Sequence, residues 1–538
     1  MTKEKIFLIV TLSLSVILII AAFSIAIYYT VGPSAGEFHA DCSDTLYWAN
    51  ASYQSGKIIS DSFSYSALLP FGGQTIMTPL IAIFDFSMTA HLAGMVIFTI
   101  IFTAALYFFF RSLGFSLCGT FTSSAVVLMS VSLSAKLREM FFGHVIYYSL
   151  GVLFFALLFG LVVRLLKKSD EGSQSGIIVY AVLTFLFTAA VATDGLQVIV
   201  IAIVPVLFSV IAERFFDPEQ KIISKKNIPN GFAALTVLVS TAVGFVFLKI
   251  ISNGVTAGYA EGYSTYDTMA DWAENIMDLP RSFMSLIGVS ILQRDPLFNG
   301  ASIINMLRIA FGVTILAVPV IMLFRYRKIK HRETKMLLFS HIFVSAFVLF
   351  GFIFGTLNTA NWRLIPMLGT ALLTTIVCAR EFKEDCNMVG KRVGILILAI
   401  MLSASAVAAY ETANLPMSSS KSRYLFRLSE YLEENDLTYG YADYWESQAI
   451  SVIAGPDIKV RGIRLDDEDN VIPYYYQTDY SWYEDQPGID KYFILLDSND
   501  HFAYIRSNHY IENMDNIVEE TEIDDYYLIV FDVNPLDP

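Results

Sequence analysis

Eleven stretches of 18 or more mostly apolar residues recur along this chain, at 5–29, 88–111, 113–134, 146–166, 176–193, 195–213, 231–252, 300–324, 336–357, 361–379 and 393–410. A membrane-crossing helix needs about 20 such residues to traverse a hydrocarbon core roughly 30 Å thick. In lipid a backbone must satisfy its own hydrogen bonds, which makes each stretch a helix. Only 16% of the 538 residues are charged, against roughly 25% in a soluble domain, so one large soluble fold is excluded. The first stretch is longer than a signal-peptide core and lacks a clean small-residue cleavage site, so it reads as an uncleaved span. The fifth and sixth are parted only by the turn around Thr193, Asp194 and Gly195.

Charge divides the chain in two. Residues 411–538 carry 27 acidic and 8 basic side chains, while the remainder carries 23 and 28. The expected organisation is therefore a transmembrane domain over 1–410 and an acidic α/β domain over 411–538. In the latter, 420–434 reads as a helix, with Leu425, Leu428 and Leu432 on one side. Thr438–Ala442, Ile458–Ile463, Tyr492–Leu496 and Tyr526–Val533 read as strands. Basic connectors orient the spans. Alternation from Lys3 and Lys5 places Arg164, Lys167 and Lys168 inside, then Lys221, Lys225 and Lys226. The cluster from Arg325 to Arg332 follows, then Lys383, Lys391 and Arg392. The N-terminus is then cytoplasmic. The long loops 30–87 and 253–299, the short loop 135–145 and the C-terminal domain fall outside. Of Cys42, Cys118, Cys378 and Cys386, only Cys42 lies in an outside segment, so no extracytoplasmic disulfide is expected. No repeat of 20–50 residues, inverted pair of halves, phosphate-cradling loop or HExxH motif is present.

Chemistry therefore belongs to the outside loops. Asp41 and Asp44 follow the first span three residues apart and share a face if the segment is helical. Partial desolvation at a membrane boundary raises a carboxylate's basicity, which suits one as a general base and the other as an orienting group. The rival reading is an N-cap of a short helix starting near Thr45. Arg138, Glu139 and His144 bring a base, an acid and an imidazole to the second loop. There Arg138 either binds phosphate or snorkels while paired to Glu139. Asp194, in a turn between two spans, either faces a polar cavity or caps its loop. Arg363, beside Asn358, Asn361 and Trp362, is the leading phosphate ligand, because a guanidinium offers two parallel hydrogen bonds and keeps its charge. The alternative is a snorkelling anchor. Tyr263, Tyr266, Asp267 and Trp272 belong to a loop that suits a substrate cover, with Arg281 and Arg294 near enough in sequence to assist. Tyr474, Tyr475, Tyr476, Tyr480, Trp482 and Tyr483 either stack on sugars or form a local apolar patch.

Taken over the whole chain, these features resemble the GT-C superfamily of polytopic membrane glycosyltransferases. The resemblance is carried best by the loop His39–Ala49 and by Tyr439-Gly440-Tyr441-Ala442-Asp443-Tyr444-Trp445, which looks like a stretch in a Gram-positive branch of GT-C-like proteins. It implies sugar transfer, with inversion, from a polyprenyl-phosphate or polyprenyl-diphosphate donor to a cell-envelope glycan, glycolipid or protein acceptor. The reaction would take place on the outer face of a bacterial plasma membrane, with Asp41 or Asp44 as base. The resemblance fixes no cofactor; a divalent metal ion, for which Asp41 and Glu139 would be the ligands, is the one candidate. The chain lacks the WWD signature of oligosaccharyltransferases and the adjacent Asp-Glu pair of protein mannosyltransferases. Two rivals are a transporter or flippase for lipid-linked glycans and a non-catalytic envelope assembly protein.

Overall fold

The computed structural model describes residues 2–216, 227–255, 265–290, 296, 298–356, 359–385, 387–417 and 423–536. Tyr263, Arg294, Lys221, Lys225, Lys226, Asn358 and Cys386 lie outside the described residues. The chain forms two compact units. One comprises Met1–Tyr29, Phe98–Ile250 and Tyr263–Leu415; the other comprises Thr30–Ile97, Ile251–Gly262 and Pro416–Pro538.

Among the described residues, ten helices are long and apolar enough to span a membrane. A bent helix pair is the eleventh candidate, either a broken span or a re-entrant loop. Leu117–Ser130 is a 14-residue helix, about 21 Å long at 1.5 Å per residue, which is too short to cross alone. The chain then bends by 117° into Ala135–Gly143. The expected run 113–134 is thus shorter than its hydropathy suggests. Ser116 and Ser134 cap the two pieces, accepting from Gly119 N and Leu137 N. Buried fractions rank the helices: Asn361–Lys383 (89%) and Tyr147–Asp170 (83%) form the centre, while Lys3–Gly36 (11%) is peripheral. Peripheral helices show large apolar side chains, such as Phe7 at 71% and Ile17 at 62% exposure. In a membrane, lipid covers such a face.

The basic connectors meet one another within this unit. Arg332 donates to Glu213 at 3.2 Å and to Asp170 at 3.1 Å. Lys167 bonds Glu333 at 3.0 Å, and His331 meets Glu381 at 2.7 Å. Arg325 pairs with Asp385. Alternating up-and-down spans produce this gathering, because every second connector returns to one end of the bundle.

Helix packing is tight at Gly244, between Gln174–Ala192 and Ile228–Ile251. A Cβ there would lie 2.0 Å from the Ala189 carbonyl oxygen, and backbone cannot yield as a side chain can. Small residues at such crossings let helices approach closely. Gly244→Ala should lower the stability of the detergent-solubilised protein by about 2 kcal/mol or more. In Gly231→Ala, on the same helix with open space around it, the change should be neutral or stabilising by up to about 1 kcal/mol. Thermal unfolding of the two variants side by side checks the pair.

The second unit carries a six-stranded sheet. Its order is Val471–Pro473, Lys459–Leu465, Tyr439–Asp443, Tyr492–Asp497, Tyr526–Phe531, Ile517–Ile523. The three inner strands at 459–465, 439–443 and 492–497 are parallel, and the flanking ones antiparallel. Helix Tyr444–Ala454 makes the crossover from the central strand to its neighbour. The expected helix and four strands are present; the strands 471–473 and 517–523 are additions. The sheet's core holds Tyr439, Tyr441, Tyr483, Tyr492, Ile494, Ile529 and Phe531. The same unit includes the first long loop, whose Phe63–Ser64 pairs antiparallel with Thr478–Asp479.

Candidate active site

The first loop folds because its apolar side chains have one place to go. Ala40–Ser43 forms a 3₁₀ turn that runs into helix Asp44–Ser55, which buries Leu46, Tyr47 and Trp48 to 1% exposure or less. Gly56, at φ +67°, ends the helix in the left-handed region that favours glycine. Gln74 fastens the helix to the chain that follows it. Its Nε2 donates to Trp48 O, Ser52 Oγ and Ile58 O at 3.2, 2.7 and 3.0 Å.

Asp41 and Asp44 are both half-buried at the start of this helical segment, three residues apart as expected. Neither caps it: the N-cap positions are His39 and Ser43, without side-chain cap bonds. Both aspartates are instead held from the C-terminal part of the unit. Tyr444 Oη donates to Asp41 Oδ1 at 3.3 Å, and Gln477 Nε2 donates to Asp44 Oδ1. Gln477 Nε2 also lies 3.4 Å from Tyr444 Oη. The Gln477 amide has only one workable orientation. The Trp48 indole N–H is a donor only and gives its hydrogen to Gln477 Oε1, so the NH₂ group must point to Asp44. Burial, reinforced by Asp44 and Asp41, holds the Tyr444 hydroxyl well above the usual tyrosine range, so it keeps its proton and acts as a donor. The result is two carboxylates gripped by neutral donors.

Sequence reasoning missed Gln477. It is fully buried and has φ +54°, a conformation costly for a residue with a side chain that composition does not announce. Gln477→Leu should strand the Trp48 indole N–H and lower stability by about 1–3 kcal/mol. Gln477→Glu should retain that bond but set a second acid against Asp44. Unfolding of both variants, followed by tryptophan fluorescence, checks this.

The other unit holds Arg138, Glu139, His144, Asp194, Arg363, Tyr266, Asp267 and Trp272. Arg138 is buried, donates to Ser132 O at 3.0 Å and lies over the Tyr29 ring at 5.8 Å. Glu139 does not pair with Arg138. Its two oxygens each take a bond from Lys136 Nζ at 2.7 Å, and Lys136 also lies 4.8 Å over the Trp362 ring. Loop 135–145 and the segment holding Arg363 therefore meet through Lys136, a residue given no role from sequence. Arg363 lies in the 3₁₀ turn Asn361–Leu364. Its Nε is shut from solvent and has no hydrogen-bond acceptor among the described residues. His144 is buried, and its backbone N–H donates to Glu139 O at 2.6 Å. Asp194 is 3% exposed and precedes helix Gly195–Val198 without making a side-chain cap bond.

The described part of loop 253–299 contains an 18-residue helix, Met269–Leu286, capped by Thr268. Asp267 N donates to Phe354 O at 3.0 Å, Trp272 meets Phe354 edge-on, and Tyr266 bridges to Gly355. These three residues thus dock on the end of helix Arg332–Phe354. Tyr474 and Tyr476 pack with Tyr444 and with each other, Tyr475 packs with Tyr483, and Trp482 stacks under Arg461 at 3.8 Å.

Among the described residues, no group of three or more His, Cys, Asp or Glu side chains is placed to hold a metal ion. The neighbours that hold the two aspartates are a hydroxyl and an amide N–H, which are not metal ligands of the kind a divalent ion needs.

A multi-pass helical body, an acidic pair in its first long loop and a small α/β domain together define a polytopic membrane protein of GT-C fold. Solved structures show the same architecture. The fold is similar to that of ArnT from Cupriavidus metallidurans bound to undecaprenyl phosphate, with TM-score 0.55 and 10% identity over 97% of this chain and 99% of that one. For the apo form the values are 0.57 and 9% over 97% and 98%. It is also similar to the Archaeoglobus fulgidus oligosaccharyltransferase in complex with Zn and sulfate, at 0.50 and 11% over 91% of this chain and 69% of that one. No protein-family model and no curated protein matches the sequence.

Proposed function

We propose that this protein is a membrane glycosyltransferase. It transfers a sugar from a polyprenyl-phosphate or polyprenyl-diphosphate donor to an acceptor hydroxyl on a cell-envelope glycan, glycolipid or protein, at the outer face of a bacterial plasma membrane. The observation that carries this reading is the acidic pair Asp41/Asp44, held by Tyr444 and Gln477 in the first long loop of a GT-C fold. Support for a lipid-phosphate donor comes from the similarity to ArnT, solved with undecaprenyl phosphate bound. The basic connectors orient the chain with its N-terminus in the cytoplasm and its C-terminal domain outside.

In this mechanism one aspartate takes the proton of the acceptor hydroxyl as its oxygen attacks the anomeric carbon. The bond from that carbon to the phosphate oxygen breaks, and its electron pair leaves with the polyprenyl phosphate. A single displacement of this kind inverts the anomeric centre. Tyr444 and Gln477 keep the two carboxylates aimed. Arg363, whose Nε lacks an acceptor among the described residues, holds the phosphate and stabilises the charge that develops on leaving, with Arg138 as a second cation. Glu139, Asp194 and His144 supply polar lining, and Tyr266, Asp267 and Trp272 belong to the segment that covers the substrate.

The test uses full-length protein in nanodiscs and a panel of polyprenyl-phosphate sugars labelled in the sugar. Movement of label from lipid to acceptor is the expected result. Label that stays on lipid but crosses the bilayer would make the protein a flippase, and label that does neither would leave an assembly role.

A further inference from the structure

The second unit contains a cavity of about 310 Å³. That volume is at the small end of the range for ligand pockets, about 300–1,000 Å³. Three consecutive positions divide the work: Asp443 and Trp445 line the cavity, whereas Tyr444 between them reaches Asp41. His39, two residues before Asp41, lines it as well.

The cavity is unusually negative. Asp443, Glu446, Asp497 and Asp500 all line it, and among the described residues the lining includes no lysine or arginine. Each of the first three spends one oxygen on the fold. Asp443 Oδ1 caps Trp445 N at 3.0 Å, and Asp497 Oδ1 caps Asn499 N and Asp500 N. Glu446 Oε1 takes the hydroxyls of Tyr424 and Tyr526 at 3.2 and 2.8 Å. Glu446 is more than nine-tenths buried, yet its Oε2 has no side-chain partner among the described residues. Burial pushes the Glu446 carboxyl up, and Asp443 adds to the shift. Burial, with Asp497 and Asp443, does the same for Asp500. Carboxylates crowded without a cation in the protein call for one in the ligand. Trp445, 51% exposed, and the stacked rings of Tyr424 and Tyr526 add aromatic surface for an apolar ring face and its attached ammonium.

We propose that this cavity binds a sugar ring bearing a free amino group, as the acceptor-side subsite of the transfer reaction; this rests on the function proposed above. A bare metal ion does not fit, because the described residues form no metal-holding group. A phosphate or uronate would meet four carboxylates and, among the described residues, no lysine or arginine.

The experiment is a calorimetric titration of full-length protein in nanodiscs with methyl glucosaminide, methyl glucoside and methyl glucuronide, below the amine's pKa. The glucosaminide is expected to bind at least about tenfold tighter than the glucoside, a difference of about 1.4 kcal/mol, and the glucuronide weakest. Glu446→Gln with Asp500→Asn should reduce that preference below about twofold. Asp497→Asn, on an exposed residue whose capping role asparagine can fill, gives the same readout should the buried change impair folding. Trp445→Ala should weaken both the glucosaminide and the glucoside. Equal affinity for amine and neutral ring, or a preference that survives the acid substitutions, overturns the proposal. Because no transfer is needed for this readout, the two readings fail separately. Amine-selective binding without transfer of label sinks the enzyme reading alone, and transfer without amine selectivity sinks the subsite alone.

Discussion

Replacing Asp41 and Asp44 together by asparagine is expected to cut sugar transfer by about a hundred- to ten-thousand-fold, the usual contribution of a positioned general base. The protein should stay folded. Asparagine is nearly isosteric, and its side-chain oxygen still accepts from Tyr444 and from Gln477 Nε2, which hold this pair. What disappears is the negative charge and the ability to take a proton. The single variants then separate the roles: the base is the residue whose loss lowers kcat most, and its partner's loss shows more in KM. Initial rates of label transfer at saturating donor, set beside the unfolding temperature of each variant, give the result. Full activity in the double variant would mean that the base lies elsewhere.

The membrane body was readable because lipid leaves a backbone so few choices: each apolar run became a helix, except where the run 113–134 broke. There Leu117–Ser130 ends early and the chain bends by 117°, which hydropathy, blind to direction, does not register. The strands Tyr492–Asp497 and Tyr526–Phe531 were readable because they hold nearly continuous apolar runs with mostly buried side chains. Ile517–Ile523 was not, since it is an edge strand carrying Glu519, Glu520 and Glu522 on a largely exposed backbone. Charges of this kind guard an edge against further pairing, and they also hide the strand from a search for alternation.

The candidate site was readable only in part. The spacing of Asp41 and Asp44 was plain in the sequence. What holds them was not, because Gln477 and Tyr444 are 433 and 403 residues away along the chain. Glu139 shows the same blind spot locally. Lys136 and Arg138 are both near in sequence, and only the turn from Ala135–Arg138 into Glu139–Gly143 brings Lys136 to the acid. Arg308, which reaches Leu133 O at 3.1 Å and Glu411 at 2.5 Å, carried no sequence signal.

Arg363→Ala is expected to lower kcat/KM for the lipid donor by about 10- to 100-fold, the cost of removing a charge-assisted hydrogen bond worth about 1.5–3 kcal/mol. Arg363→Lys distinguishes the two roles open to this residue. An anchoring cation needs only a charge on a flexible stem, which lysine supplies, so a snorkelling Arg363 would be replaced without loss. A phosphate ligand needs the planar fork, and lysine offers a point charge in its place. The buried Nε, without an acceptor among the described residues, favours the fork, since a donor kept from water gains most from a phosphate oxygen. Lysine should therefore recover only a small part of the loss, and the defect should appear in the donor's KM rather than the acceptor's. Complete recovery by lysine would return Arg363 to the membrane boundary and leave Arg138, beside Tyr29, as the remaining cation for the leaving phosphate.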